Sequence, residues 1–325
     1  MSGRAAWAEP THYRPHLLHG ESRIWLEKNC YVDVWIALLH TLELEPRAML
    51  GCAAALDFLG DQWTFLKPDH HDLRHLYGVQ VQELTLWRPL AEHVREHLNA
   101  GRLISVEADA WWLPDTAATD YRQQHTKTTI VIVADDPAQQ QLTYFHNAGL
   151  YTLHGEDYRQ TLANGGLPMP LYAEWIDASR RHARPGSELR HLARERLEQH
   201  LAWRPTDNPM RRFAARFNED LAALQREPDR PAALARYHAW AFAGTRQLGS
   251  AMELLALHLQ WLDDPACAGA ADHALSLAQA CKSLILKGAR AAATGRPWQG
   301  QELLDGMTAD WASLMAACGH GRAGD

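Results

Sequence analysis

VEADAWWLPDTAATDYRQQHTKTTIVIVADD, residues 106–136, sets the architecture of the first half of the chain. It holds the end of one strand-like run, RLISVEADAWWL (102–113), and the whole of another, HTKTTIVIVAD (125–135). The second run is filled with β-branched residues and closed by the turn signal DDP. A third run, QLTYFHNAG (141–149), and a fourth, LYTLHG (150–155), continue the pattern. If the second and third runs pair as a hairpin, their near ends bring residues 125 and 147 to the same edge of a sheet. Period-two alternation puts Glu107 and Asp109 on one face of their strand, as a possible acid–base pair or, for Asp109, an anchor for the loop that follows. His125 stands at the entry to the β-branched strand.

Helices precede the strands. In EKNCYVDVWIALLHTL (27–42) the residues Tyr31, Val34, Trp35, Leu38, Leu39 and Leu42 make one apolar stripe at helical spacing, with Asn29 as N-cap and Pro46 after the end. AMLGCAAALDFLG (48–60) reads as a second helix stopped at Gly60, with Cys52 inside it as packing. DLRHLYGVQVQEL (72–84) reads as helix, turn and strand, and RPLAEHVREHLNAG (88–101) as a helix. Strands are expected to stop by Tyr158, and NGGLPMPLYAEW (164–175) marks a boundary. The rest predicts helices over 187–201, 207–226, 230–262, 271–294 and 300–317. The expectation is thus an α+β domain over 1–165 and an all-α domain over 166–325.

Composition narrows the function classes. The formal net charge is −7, which argues against general nucleic-acid binding, a task for clustered Lys and Arg. No apolar run approaches the roughly 18–20 residues that span a bilayer, and the first 18 residues have no signal-peptide core, so a cytoplasmic protein is expected. Five cysteines without a CxxC pair speak against a disulfide framework and a Cys-based zinc site. KPDHHDLRH (67–75) contains His70, His71 and His75 near Asp69 and Asp72, but its polarity and Pro68 favour a solvated helix start over a metal site, and no metal is expected.

The remaining chemistry centres on Cys30. Thiolate catalysis needs a thiol where its anion is favoured, a base within reach and a group that orients the base. Cys30 lies at the first turn of its helix, where the dipole favours an anion. His125 is the candidate base and Asn147, at the end of the next strand, the candidate third member, with His146 beside it and Asp109 as further orienting candidates. A buried packing thiol and a structural histidine are the competing explanations.

This order resembles papain-like cysteine enzymes: a Cys at a helix start, a His at a strand start, an Asn or Asp after the next strand. It is more similar to the butirosin-type acyltransferase N-terminal domain, related to bacteriocin-processing peptidases. There a short strand ending in Asp and an LP dipeptide precede the His strand, as Asp109, Leu113 and Pro114 precede His125 here. FLGDQWTF (58–65) matches a Gly-rich turn before an aromatic. The resemblance covers about residues 27–165 and implies a papain-like fold with Cys30, His125 and Asn147 as its triad. Two departures stand out. Papain-like peptidases place an oxyanion Gln six residues before the nucleophile, where this chain has Ile24, leaving Gln62 as a substitute donor. Asn147 replaces the Asp usual in the acyltransferase type, with His146 beside it.

The whole chain also looks like an uncharacterised bacterial family associated with carrier-protein and amino-acid-activating genes. That implies a carrier-protein partner, a phosphopantetheine arm as substrate carrier and no bound cofactor. Arg246, Glu253, Lys282, Lys287 and Arg290 in the helical half are candidates to receive the arm or an acidic carrier, against the plainer view that they are solvated or paired. The expected activity is acyl or aminoacyl transfer from a carrier thioester through Cys30 to a small amine or hydroxyl acceptor. The alternatives are a cysteine peptidase or amidase with the same triad, and a non-catalytic partner-binding protein.

Overall fold

The computed structural model describes residues 10–26, 28–163 and 171–319. The expected boundary at 165/166 and the start of its Gly/Pro-rich segment lie outside them. The chain divides into two compact units. One holds the sequence up to Glu21, Asn29–Pro46 and Pro68–Pro185, and the other Ser22–Lys28, Arg47–Lys67 and everything from Gly186 on.

In chain order the elements are α1 (Cys30–Thr41), a 3-10 stretch (Pro46–Ala55), the hairpin β1 (Phe58–Leu59) and β2 (Gln62–Trp63), and α2 (His70–Tyr77). Then come β3 (Gln80–Glu83), α3 (Leu90–Asn99), β4 (Leu103–Asp109), β5 (Lys127–Asp136), β6 (Gln141–His146), β7 (Gly149–His154), α4 (Gly155–Ala163) and β8 (Ala173–Asp177). Six helices complete it: α5 (Gly186–Trp203), α6 (Pro209–Arg226), α7 (Arg230–Ala243), α8 (Thr245–Leu262), α9 (Ala270–Thr294) and α10 (Gln301–Gly319). The protein is α+β, an antiparallel sheet with helices followed by a helical region. Among the described residues no helix is long and apolar enough to cross a membrane.

The first unit is built on a six-stranded antiparallel sheet in the order β3-β8-β4-β5-β6-β7. Alternation gives the sheet two chemically different faces. Ile104, Val106, Ala108, Ile130, Ile132, Leu142 and Tyr144 point to one, where Leu90 and Val94 of α3 and Tyr158 and Leu162 of α4 complete an apolar core. Ser105, Glu107, Asp109, Lys127 and Thr129 have the opposite parity, and α1 packs on that second face.

The sequence signals that fix α1 act as expected. Asn29 caps it, its side chain accepting the Val32 N–H at 3.1 Å, while Asp33 reaches back to the Asn29 N–H at 3.3 Å, so each end of the first turn satisfies the other. Burial extends beyond the expected stripe, from Tyr31 through Leu39 without a break. Trp35 has no exposed surface. Trp35→Ala should therefore cost roughly 3–5 kcal/mol by loss of transfer energy plus cavity formation, measured by urea unfolding followed by far-UV circular dichroism.

Three expectations need correction. Residues 48–60 do not form an α-helix: a 3-10 stretch ends at Ala55 and the β1–β2 hairpin follows. Close packing overrides propensity there, since His258 Nδ1 bonds Arg47 O at 2.8 Å and a Cβ on Gly51 would come within 3.1 Å of His258 Nε2. The expected helix over 230–262 is two helices, broken at Gly244. Strands do not end by Tyr158, because β8 inserts between β3 and β4.

The second unit has an aromatic core. Phe58 and Trp63 of the hairpin pack on Phe213 with ring centroids 5.5 and 5.6 Å away, and Trp63 on Trp311 at 5.8 Å. Part of the high Trp count is thus structural. The helix α8 is buried along nearly its whole length, as befits the centre of a bundle.

Candidate active site

Cys30 is the first residue of α1 and half-buried. Its sulfur lies 3.7 Å from Thr129 Oγ1 on β5. A helix's first N–H groups lack intrahelical partners, and the Asn29 side chain takes that of Val32.

Thr129 lies opposite Glu107, and Lys127 opposite Asp109. All four residues therefore project from the sheet face on which Cys30 sits. Lys127 and Glu107 pair at 2.5 Å. Asp109 ends β4 with its side chain almost completely buried, and its two oxygens divide their work. Oδ1 accepts the Trp111 N–H at 3.1 Å, ordering the loop, and Oδ2 meets His125 Nδ1 at 2.6 Å. Trp111 then stacks on the His125 ring, centroids 4.5 Å apart and planes within 10°. One imidazole edge is thus held by a buried carboxylate and one face by an indole. The His125 side chain is 46% exposed.

The loop between these groups explains the LP dipeptide. Thr116 Oγ1 donates to Ala110 O at 3.0 Å or Leu113 O at 2.9 Å, and Asp115 takes hydrogen bonds from Tyr144 OH and the His146 ring. His146 is buried, with Nε2 2.7 Å from Thr128 Oγ1, on the apolar-core face rather than the Cys30 face. Burial and the nearby Asp115 carboxylate push the Tyr144 phenol far above its ordinary range, so it remains a donor.

Asn147 takes φ +46° in the two-residue turn joining β6 to β7, a left-handed conformation that Asn tolerates better than most side chains. The carboxylate at His125 Nδ1 is that of Asp109. Gln62 lies exposed in β2, within the second unit.

A second polar cluster, not anticipated from the sequence, adjoins Cys30. Glu174 of β8 is fully buried on the α1 face, opposite Ser105. It accepts from Tyr31 OH at 2.8 Å and Tyr172 OH at 2.7 Å, and His70 Nε2 lies 3.3 Å away. Burial first, then the Glu174 charge or hydrogen bond, raise both phenols well beyond their ordinary value, keeping them protonated donors. Tyr31 follows Cys30 directly, so this carboxylate ties the first turn of α1 to the sheet. In the same segment His71 stacks on His75 at 6.1 Å, and Asp69 caps α2 through the His71 N–H at 2.6 Å. Among the described residues no cluster of three or more His, Cys, Asp or Glu has metal-holding geometry.

Of the basic and acidic residues expected to face a partner, Lys282, Lys287 and Arg290 are exposed on α9, Lys282 with its ammonium 5.8 Å from the Trp25 ring. Arg246 is half-buried. Glu253 faces inward instead: it is buried, pairs with Arg23 at 2.9 Å and accepts the N–H groups of Ile24 and Trp25 at 2.6 and 2.9 Å. Ile24, at the position of the absent oxyanion Gln, is thereby fixed through its backbone. Glu253→Ala should cost roughly 3–5 kcal/mol by removing the carboxylate shared by a buried guanidinium and two amides, seen as a lowered denaturation midpoint.

Residues 14–178 match the DUF1839 N-terminal domain and residues 186–319 the DUF1839 C-terminal domain. Neither match links the chain to butirosin-type acyltransferases. A search of curated proteins finds no match. The two matched domains span most of the 325 residues, and the chain belongs to the DUF1839 family.

Proposed function

We propose that the protein is a papain-like, cysteine-dependent acyltransferase that takes an acyl or aminoacyl group from a carrier-protein thioester. The observation that carries this reading is the Asp109–His125 pair, clamped by Trp111 on the sheet face where Cys30 opens α1. With Nδ1–H donated to Asp109, His125 offers the Nε2 lone pair as a base.

Cys30 Sγ attacks the thioester carbonyl while His125 Nε2 takes the thiol proton, and Asp109 stabilises the imidazolium. The Cys30 N–H at the helix start supports the developing oxyanion. Collapse breaks the carbonyl–sulfur bond of the donor. The pantetheine thiolate leaves with the proton from His125, and the acyl group stays on Cys30. An amine then attacks, gives its proton to His125 and displaces Cys30. Exchange between thioesters is nearly isoenergetic, so the first half-reaction needs less driving force than amide cleavage. The exposed Lys282, Lys287 and Arg290 suit an acidic carrier protein.

Product analysis tests the transfer step. Given an S-acyl-pantetheine donor and a primary amine, the wild-type protein should form the amide, with yield rising with amine concentration. Free acid alone at saturating amine would assign a hydrolase instead. No turnover, with Cys30 left unmodified, would support a binding protein.

A further inference from the structure

Two of the other four cysteines meet in the helical unit. Cys267 closes a 3-10 turn, Pro265–Cys267, that Asp264 caps through the Ala266 N–H at 2.8 Å. Cys318 lies in the last turn of α10, which packs against that 3-10 turn, and the two thiols influence each other's ionisation. Arg194 of α5 reaches the same sulfur, its Nη1 3.7 Å from Cys267 Sγ. The guanidinium is itself anchored by Glu198 at 3.0 Å and by Asp264. Cys318 also lines an open pocket of about 510 Å³ with Arg194, Glu198, Leu201 and Arg204. Cys281 contrasts with this pair: it is fully buried, and desolvation pushes its thiol well up.

We propose that Cys267 and Cys318 are a peroxide-reactive dithiol, a modification site separate from Cys30, in which Cys267 is the attacking sulfur and Cys318 the resolving one. The charges around it favour that order. Cys318 and the Arg194 guanidinium favour the Cys267 anion against burial and the Glu198 charge, and the neighbouring Cys267 and burial hold Cys318 in its thiol form. In the first step the Cys267 thiolate attacks one oxygen of a hydroperoxide. The O–O bond breaks, the leaving oxygen takes up a proton to depart as water or an alcohol, and Cys267 becomes a sulfenic acid. In the second step Cys318 sulfur attacks the sulfenic sulfur, the S–O bond breaks, and the hydroxyl leaves as water with the Cys318 proton. Two thiols are oxidised by two electrons, the peroxide is reduced by two, and a thiol reductant reverses the disulfide. The bond would tie the end of α10 to the turn preceding α9.

The test uses the full-length protein with hydrogen peroxide, quenched with N-ethylmaleimide in denaturant and digested without reduction. Tandem mass spectrometry should find Cys267 joined to Cys318, lighter than the two peptides by two hydrogens and separated by dithiothreitol, with Cys281 recovered as its maleimide adduct. Arg194→Gln should slow the linkage by about an order of magnitude. Cys318→Ser should stop at a sulfenic acid on Cys267 that dimedone traps. Recovery of both Cys267 and Cys318 as maleimide adducts in wild-type protein, under peroxide that oxidises Cys30, overturns the proposal whether or not the variants fold. Dimedone on Cys318 of Cys267→Ser, with none on Cys267 of Cys318→Ser, overturns the assigned order.

Discussion

Cys30→Ala is expected to lose the acyl-enzyme entirely and to turn over an acyl-thioester donor roughly three or more orders of magnitude more slowly than wild type. The side chain is small and half-buried, and its sulfur approaches Thr129 at 3.7 Å while the Asn29 and Asp33 side chains make the helix cap, so removal leaves that cap intact. Far-UV circular dichroism should be unchanged and the melting temperature close to that of wild type. Steady-state kinetics at saturating donor measures the loss. Turnover within a few-fold of wild type would remove Cys30 from the chemistry.

The second large effect belongs to Asp109. Asp109→Asn retains volume but presents an amide that can turn its NH₂ toward Nδ1, stabilising the tautomer with the proton on Nε2. His125 would then be unable to accept a proton from Cys30, and kcat should fall roughly 10³–10⁴-fold with little change in KM. Asn147→Gly is the companion variant. Glycine adopts the φ of that turn without strain, so kcat should stay within about twofold of wild type. The opposite pattern, loss at Asn147 and retention at Asp109, would restore Asn147 to the role that chain order suggests. Adding Asp109→Asn to Cys30→Ala should lower turnover little further, because groups acting as one unit are not additive.

These variants also mark what the sequence could and could not reveal. The tip of α1 was readable because local signals define it: a capping Asn, a helical apolar period and a Cys at the first turn. The placement of Glu107 and Asp109 on one face was readable because strand alternation is local too. Which of Asn147, His146 and Asp109 meets His125 was not, because that depends on register. A hairpin pairing of Ile130 with His146 turns that imidazole into the apolar core, and the two-residue turn fixes Asn147. The antiparallel pairing of Asp109 with Lys127 instead brings the carboxylate from the preceding strand to His125.

Tertiary contacts hid the rest. The strand β8 is five residues long and carries a fully buried Glu174, a residue type that normally argues against a central strand; Tyr31, Tyr172 and His70 make it tolerable. Glu253 has the helical spacing of a surface residue, and only Arg23 and the two amides, more than 200 positions away, reveal it as buried. Likewise Cys267 and Cys318 are far apart in sequence, and the packing of α10 on the turn Pro265–Cys267 brings them together.

Intact-mass analysis of the acyl-enzyme bears most directly on the assignment of Cys30. Wild-type protein mixed with an S-acyl-pantetheine, quenched in acid within the first turnover, should gain one acyl mass that maps to Cys30 and disappears on treatment with hydroxylamine. Amine added before the quench should discharge it as amide. An unmodified Cys30 under conditions where the donor is consumed would contradict the mechanism.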